Sequence, residues 1–209
     1  AAAGGRAAEA LRVLEEVAKT LGADASAFER LRYEAYDADR SLRLALAPRA
    51  PQWRLCVIVT ASLCAGRTPA AVAAQAVEGG ADCVQVREKD AGSAELLRTA
   101  REVVAAARAG GASVIVNDRA DIALLAGADG VHVGRDDLTP EQARRVAGRG
   151  AIVGVSTSDL IEARAAVAAG ASYCGCGSMF ASSTKSKPEL AGAEYLRAYL
   201  ADAACGADR

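Results

Sequence analysis

The stretch EGGADCVQV, residues 78–86, ends a helix-like segment in two glycines and continues at once into an apolar run. The same order recurs in AGGASVIV (109–116), AGADGVHV (126–133) and AAGASYCGC (168–176). Glycine often ends a helix in the left-handed conformation. A short run rich in Val, Ile or Cys is typical of a strand buried on both faces. The repeat therefore predicts helices that alternate with buried strands.

Six short apolar runs carry this pattern along the chain. They are Cys56–Thr60, Cys83–Val86, Ser113–Val116, Gly130–Val133, Ile152–Val155 and Tyr173–Cys176. The intervening segments have apolar residues at helical spacing, most clearly at Leu96, Leu97, Ala100, Val103, Val104 and Ala107. Strict alternation with short connections predicts a parallel sheet with right-handed crossovers.

An open doubly wound sheet and a TIM barrel both satisfy this alternation. The open sheet normally carries a GxGxxG turn after its first strand, whereas this chain has VTASLCAGRTPAA at residues 59–71. Polar residues instead follow several different strands, as they do at the rim of a barrel. We therefore predict an α/β fold, a TIM (β/α)8-type barrel that is incomplete, with about six βα units over residues 51–209.

Residues 1–50 lack this repeat and predict a small pair of helices. The apolar residues that indicate the first helix, and the glycine that ends it, are Leu11, Leu14, Val17, Ala18, Leu21 and Gly22. A second apolar face is formed by Phe28, Leu31, Ala35, Leu42 and Leu46. Pro48 and Pro51 mark a linker. This N-terminal helical extension is expected to precede the barrel.

The composition excludes several classes of function. The net charge is −1, from 25 basic and 26 acidic residues, so no global field favours nucleic acid or an anionic membrane. No apolar run approaches the roughly 20 residues of a membrane span, and we expect a cytoplasmic protein with reduced, buried cysteines. The single histidine, His132, makes Ser-His-Asp catalysis a poor candidate. Its alternation with Val131 and Val133 predicts a packed strand residue.

The ends of the chain predict a truncated protein. The chain starts at Ala1, and its only methionine is Met179. Six βα units occupy residues 56 to about 204, so a full barrel would need roughly 50 residues more. We expect a piece of a longer reading frame, with open apolar sheet edges and little activity by itself.

Chemically useful side chains follow five successive predicted strands. They are Gln85, Arg87, Lys89, Asn117, Asp118, Asp137 and Ser156, with Ser182, Thr184 and Lys185 in the loop after the sixth strand. The cations together with the amide and hydroxyl donors suit phosphate oxygens. A barrel brings such strand ends to one rim. The pattern therefore predicts a site for a phosphorylated ligand.

Asp118 and Asp137 follow adjacent predicted strands and would repel each other. Mg²⁺ typically takes one or two carboxylates plus substrate phosphates, so it would remove this conflict. No strand end carries a good general base, which favours a reaction that stabilises a leaving group. The alternative is that Asp118–Arg119 and Asp136–Arg135 form rim salt bridges of little value.

Four motifs identify a resemblance to one family: VQVREKD (84–90), VNDRADIALLAGADGVHVGRDD (116–137), GVSTS (154–158) and the SSTK loop in YCGCGSMFASSTK (173–185). They resemble thiamine-phosphate synthase. The resemblance implies a barrel enzyme that joins hydroxymethylpyrimidine diphosphate to hydroxyethylthiazole phosphate. It also implies Mg²⁺ and a dissociative reaction that releases pyrophosphate.

The resemblance also implies a role for each matching residue. Gln85, Arg87, Lys89, Asn117 and Ser156 match contacts to the pyrimidine diphosphate, and Asp118 and Asp137 match the Mg²⁺ ligands. Ser182 and Thr184 fit the thiazole-phosphate loop, and Lys185 fits the lysine that meets pyrophosphate. Lys185 and Ser156 are therefore the expected catalytic residues. Ser158 stands where the family commonly has histidine.

Two other functions remain open. A thiazole tautomerase relative has a similar barrel but tends to lose the second metal aspartate, so Asp137 favours the synthase. A non-catalytic module that binds thiamine precursors belongs to another class, and the retained cations and aspartates argue against it. The expected partners are small-molecule substrates, without nucleic acid or membrane. A homo-oligomer is one of the states that the sequence allows.

Overall fold

The structure, a computed structural model, describes residues 2–48, 50–180 and 190–205. The chain divides into two compact units, Ala1–Ala47 and Pro48–Arg209. None of the helices in the described ranges combines the length and apolar character that crossing a membrane requires.

The first unit is the predicted pair of helices, α1 (Ala2–Thr20) and α2 (Ser26–Ala45). Gly22 has φ +69° in the connection between them, a conformation that glycine adopts without steric cost. The side chain of Glu15 is only 3% exposed and accepts hydrogen bonds from Lys19 Nζ at 2.6 Å and Arg32 Nε at 2.8 Å. A buried carboxylate therefore joins the two helices.

The second unit contains the predicted parallel sheet. In the described residues its strands are β1 (Cys56–Val59), β2 (Cys83–Val86), β3 (Ser113–Asn117), β4 (Gly130–Val133), β5 (Ile152–Thr157) and β6 (Tyr173–Cys176). They pair in chain order, and every pair is parallel. The sheet curls into a half-barrel, which confirms the predicted fold class.

Helices alternate with these strands. They are α3 (Pro69–Glu78), α4 (Ser93–Ala109), α5 (Ala120–Ala126), α6 (Pro140–Ala147), α7 (Leu160–Ala168) and α8 (Gly192–Ala201), with a short 3₁₀ turn at Ala61–Leu63. The connection from α5 to β4 turns at Gly127, which has φ +70°. The glycine-containing junctions predicted from the sequence thus lie between helices and strands.

The two faces of the sheet have different compositions, because successive strand residues point to opposite sides. Valines form the buried outer layer against the helices; they include Val84, Val86, Val114, Val116, Val131, Val133 and Val153. The inner face has a smaller apolar cluster formed by Cys83, Ile115 and Ile152. Above it, at the carboxyl ends of the strands, the inner positions are polar.

The edge strand β1 exposes apolar surface. Ile58 is 58% exposed on this strand, and Leu55 just before it is 48% exposed. Because Ile58 alternates with Val57 and Val59 of the outer layer, it presents an apolar side chain on the inner face at one edge of the half-barrel.

Candidate functional site

A cavity of about 680 Å³ lies at the carboxyl ends of the strands. Its lining residues are Arg87, Lys89, Asn117, Asp118, His132, Gly134, Arg135, Asp136, Asp137, Ser156, Ser158, Asp159, Glu162, Leu190 and Ala191. Residues separated by about 100 positions in the sequence meet here because parallel strands end at the same rim. The cavity thus brings together the predicted strand-end residues that the structure describes, with the exception of Gln85.

The backbone at the end of β3 presents Asp118 in an unusual conformation. Asp118 has φ +62°, and Arg119 N–H donates to Asn117 O at 2.8 Å across it. The N–H of Asp118 donates to His132 O at 2.7 Å, which ties this turn to β4. Residues other than glycine rarely adopt positive φ, and such strain clusters at functional sites. The surrounding hydrogen bonds therefore hold the Asp118 carboxyl group at the cavity wall.

Asp118 and Asp137 lie side by side in the cavity. Burial raises the pKa of Asp118, and the adjacent Asp137 carboxyl group raises it further. Lys89 and Arg87 act in the opposite direction and lower this pKa. Asp137 is oriented in turn by the backbone N–H of Gly134, which donates to its Oδ2 at 2.7 Å. The carboxylate pair is therefore only partly compensated by the nearby cations.

This donor set could hold a divalent cation together with a ligand. In the described parts of the chain, no cluster of three or more His, Cys, Asp or Glu side chains is arranged to hold a metal alone. Mg²⁺ does not need such a cluster, because it uses one or two carboxylates plus phosphate oxygens and water. The adjacent Asp118 and Asp137 carboxyl groups, with a raised Asp118 pKa, are therefore a chemically suitable pair.

Two hydrogen bonds hold the backbone of Arg87 just after β2. Arg87 N–H donates to Val59 O at 2.9 Å, and Thr60 Oγ1 donates to Arg87 O at 2.9 Å. Both Arg87 and Lys89 line the cavity. The guanidinium and the ammonium thus face the same space as the aspartates, where they could bind phosphate oxygens.

His132, expected from its alternation to pack within a strand, lies on the inner face of β4 and lines the cavity. Its Nε2 is 2.9 Å from Ser156 Oγ, and its Nδ1 is 3.0 Å from the hydroxyl of Tyr173. The alternation gave the correct strand but did not reveal that this face borders a cavity. Nothing in the sequence around His132 or Tyr173 indicates that the two side chains contact each other.

The ion pairs of the described residues do not include the alternative rim salt bridges, Asp118–Arg119 and Asp136–Arg135. Arg119 instead binds Asp121, with Nη2 at 2.6 Å from Oδ2. Arg135 forms an ion pair with Glu162 and donates to Ser158 Oγ at 3.3 Å. This group also borders the cavity. Arg135 and Glu162 are distant in sequence, so spacing could not predict their contact.

The predicted site residues still to be located are Gln85, which the structure describes, and three residues that lie outside the described ranges. Gln85 is 6% exposed in β2, in register with Ile58 and Ile115, and is absent from the lining residues of the described cavity. Ser182, Thr184 and Lys185 lie outside the described residues. Their roles stay predictions.

Comparison with known proteins shows the family of the chain. Residues 55–206 match the family Thiamine monophosphate synthase. The chain belongs to this family. Residues 1–41 match a second family, ThiD2, so the helical unit has relatives of its own.

Individual relatives cover different parts of the chain. The thiamine-phosphate synthase of Anaeromyxobacter dehalogenans is 52% identical over 123 residues, which are 59% of this chain and 55% of that protein. That of Thermosynechococcus vestitus is 39% identical over 194 residues, or 92% of this chain and 55% of that protein. The second relative therefore also matches much of the helical unit.

A solved structure extends the similarity to the fold. Thiamine phosphate pyrophosphorylase from Pyrococcus furiosus superposes with a TM-score of 0.60 at 31% sequence identity, covering 75% of this chain and 70% of that one. The chain spans little more than half the length of the two curated relatives described above.

Proposed function

We propose that this chain is the part of a thiamine-phosphate synthase that binds the pyrimidine diphosphate and the metal. The enzyme would join hydroxymethylpyrimidine diphosphate to hydroxyethylthiazole phosphate and release pyrophosphate. The observation that carries this proposal is the convergence of Arg87, Lys89, Asp118 and Asp137 on one cavity. Family membership supports the same reaction.

In this proposal the cations and neutral donors bind the diphosphate. Arg87 and Lys89 neutralise its oxygens, and Asn117 and Ser156 donate hydrogen bonds to them. Gln85, by its resemblance to the family, contributes from β2 on the pyrimidine side. Ser182 and Thr184 bind the thiazole phosphate, and Lys185 meets the departing pyrophosphate.

Mg²⁺ is the proposed metal, with Asp118 and Asp137 as its protein ligands. When bound, it would supply positive charge to the diphosphate leaving group. The residues of the chain act around this charge: Arg87 and Lys89 stabilise negative charge on the departing oxygens, and Ser156 orients them. This assignment agrees with a dissociative reaction, which needs leaving-group stabilisation and no general base.

The adjacent aspartates also bear on the alternatives. A tautomerase relative tends to lack the second aspartate, whereas here Asp137 lies beside Asp118. This juxtaposition supports the synthase over the tautomerase and over a metal-independent binding module. We further propose a cytoplasmic location, and that the 209 residues alone turn over slowly.

Pyrophosphate release from the two substrates tests the proposal. Asp118→Ala is expected to lower the rate at least about 100-fold, because a metal ligand and its charge are lost. Asp121→Asn is the matched control, since Asp121 binds Arg119 and does not line the cavity. An unchanged rate and unchanged Mg²⁺ dependence in Asp118→Ala would refute the assignment.

A further inference from the structure

Three side chains form a continuous hydrogen-bonded series across β4, β5 and β6. The hydroxyl of Tyr173 is 3.0 Å from His132 Nδ1, and His132 Nε2 is 2.9 Å from Ser156 Oγ. Ser156 lines the cavity. The series thus connects the interior of the half-barrel to a donor at the proposed diphosphate site.

The sheet register creates this series. His132 pairs with Gly154, and Gly154 pairs with Tyr173. Because Gly154 has no side chain, the ring of Tyr173 reaches over it toward His132; a Cβ built on Gly154 would overlap Cζ and the hydroxyl of Tyr173. Trp53 packs edge-on against the same ring, with centroids 5.3 Å apart. Packing therefore fixes the tyrosine.

The direction of the hydrogen bonds follows from the tyrosine. Burial raises the pKa of Tyr173 well above its usual value, so its hydroxyl stays protonated at neutral pH. In the described residues, that hydroxyl has one hydrogen-bond partner, His132 Nδ1. An O–H group in a partly buried position loses free energy if it does not donate. Tyr173 therefore donates to Nδ1, and in the neutral imidazole the proton is then on Nε2.

The direction of the hydrogen bond between His132 and Ser156 then follows. An Nε2–H donates to Ser156 Oγ, so the serine oxygen acts as the acceptor of that bond. The hydroxyl hydrogen of Ser156 remains to donate elsewhere. The space in front of it is the cavity that Arg87 and Lys89 also border.

We propose that Tyr173 and His132 are positioning residues that fix Ser156 as a hydrogen-bond donor to an anionic oxygen in the cavity. The identification of that oxygen as part of a diphosphate rests on the proposed function. The orientation favours a phosphate oxygen, which can only accept, over a ligand group that must donate. It therefore contributes to specificity without Tyr173 being in the wall of the cavity.

The tautomer of His132 tests the orientation directly. His132 is the only histidine of the chain, so its two ring nitrogens can be assigned without ambiguity by ¹H–¹⁵N NMR. At alkaline pH, where imidazole is ordinarily neutral, the Nε2–H form is expected to exceed the Nδ1–H form about tenfold. Predominance of the Nδ1–H form would overturn the proposal.

Three variants show which side chain sets the tautomer preference of His132. Tyr173→Phe keeps the ring and is expected to reduce the tautomer preference to that of a histidine without this hydrogen bond. Ser156→Ala should leave the preference in place, because the tyrosine sets it. Tyr199→Phe, a tyrosine in the cluster between β6 and α8, should also leave it unchanged. An unaltered preference in Tyr173→Phe with retained circular dichroism would contradict the proposal.

Titration with inorganic pyrophosphate in the presence of Mg²⁺ measures how the orientation of Ser156 affects ligand binding. Ser156→Ala is expected to weaken binding about tenfold, and Tyr173→Phe by a smaller factor. The double variant should bind no more weakly than Ser156→Ala, because the tyrosine acts through the serine. Additive losses would overturn the proposal. Failure of pyrophosphate to bind, with the Nε2–H tautomer present, would refute the proposed function and leave the orientation of Ser156 intact.

Discussion

The hydroxyl groups of Thr157 and Tyr195 lie 2.6 Å apart in the buried layer between β5 and α8. Thr157 is 1% exposed and Tyr195 is 8% exposed. The two hydroxyl groups thus form a hydrogen bond away from water. This bond joins α8 to the strand that also carries Ser156.

Tyr195→Phe is therefore expected to lower the free energy of unfolding by about 1–3 kcal/mol, because it leaves the Thr157 hydroxyl buried without its partner. Urea denaturation measures the change. Tyr199→Phe is the matched control on the same helix. Tyr199 contacts the thiol of Cys174, a weak hydrogen-bond partner, so its substitution should cost less. Equal losses for both variants would contradict this account.

Gly154→Ala should destabilise the half-barrel by about 1–3 kcal/mol, because the new methyl group needs space that the Tyr173 ring occupies. Trp53, the only tryptophan, packs on that ring, so its fluorescence should report the displacement. Gly150→Ala is the control, since a Cβ at Gly150 meets no atom within 4 Å. The idea fails if Gly154→Ala unfolds at the same urea concentration as the control.

Asp118→Asn is expected to stabilise the metal-free protein at pH 7 by at most about 1 kcal/mol, because water screens its partly buried charge. The pKa of Asp118 lies above its ordinary value of 3.8. The stability that this raised pKa contributes to the folded protein is therefore fully present below pH 3.8. It is lost as the pH rises through the raised pKa. The stability of Asp118→Asn relative to the unsubstituted protein should therefore increase over this pH range.

Unfolding measured with a chelator at several pH values checks this expectation. Asp121→Asn should behave in the opposite way, because Arg119 lowers the pKa of Asp121. That carboxylate contributes stability above its ordinary pKa, and the contribution disappears as pH falls through the lowered value. Destabilisation by Asp118→Asn throughout the pH range would rule out the proposed charge conflict.

Glu15→Gln should loosen the helical unit at neutral pH. Arg32 and then Lys19 lower the pKa of Glu15, so its contribution is present above the ordinary value of 4.5 and is lost as pH falls through the lowered pKa. Hydrogen exchange of peptides from residues 2–45, corrected for intrinsic pH dependence, measures this. Glu16→Gln is the control, because Glu16 is 63% exposed. Equal protection of both variants at neutral pH would argue against a role for Glu15.

The strands were predictable because each is a short apolar run, and β2, β3, β4 and β6 also follow a glycine-containing junction. Gly130–Val133 and Tyr173–Cys176 have the expected bounds. β3 and β5 continue into polar residues, through Asn117 and Thr157. There the backbone still pairs with the neighbouring strand, which side-chain hydrophobicity does not reveal.

The cavity was predictable in part. The common rim of parallel strands placed Arg87, Asp118 and Asp137 together, as expected. Alternation assigned His132 to one face of β4, but the sequence does not tell which face borders a cavity. The contact between His132 and Tyr173 depends on strand register and on the missing side chain of Gly154, which are properties of the assembled sheet.

The alternation of valines and polar residues along the strands separates two kinds of evolutionary change. Exchanging Asn117, His132 or Ser156 changes the wall of the cavity while leaving the helix-facing valines in place. Exchanging Val116, Val131 or Val153 damages the packed layer and the cavity wall that it supports together. A library that varies only the inward positions should therefore yield many folded proteins with new ligand preferences, whereas one that varies the outward positions should yield few.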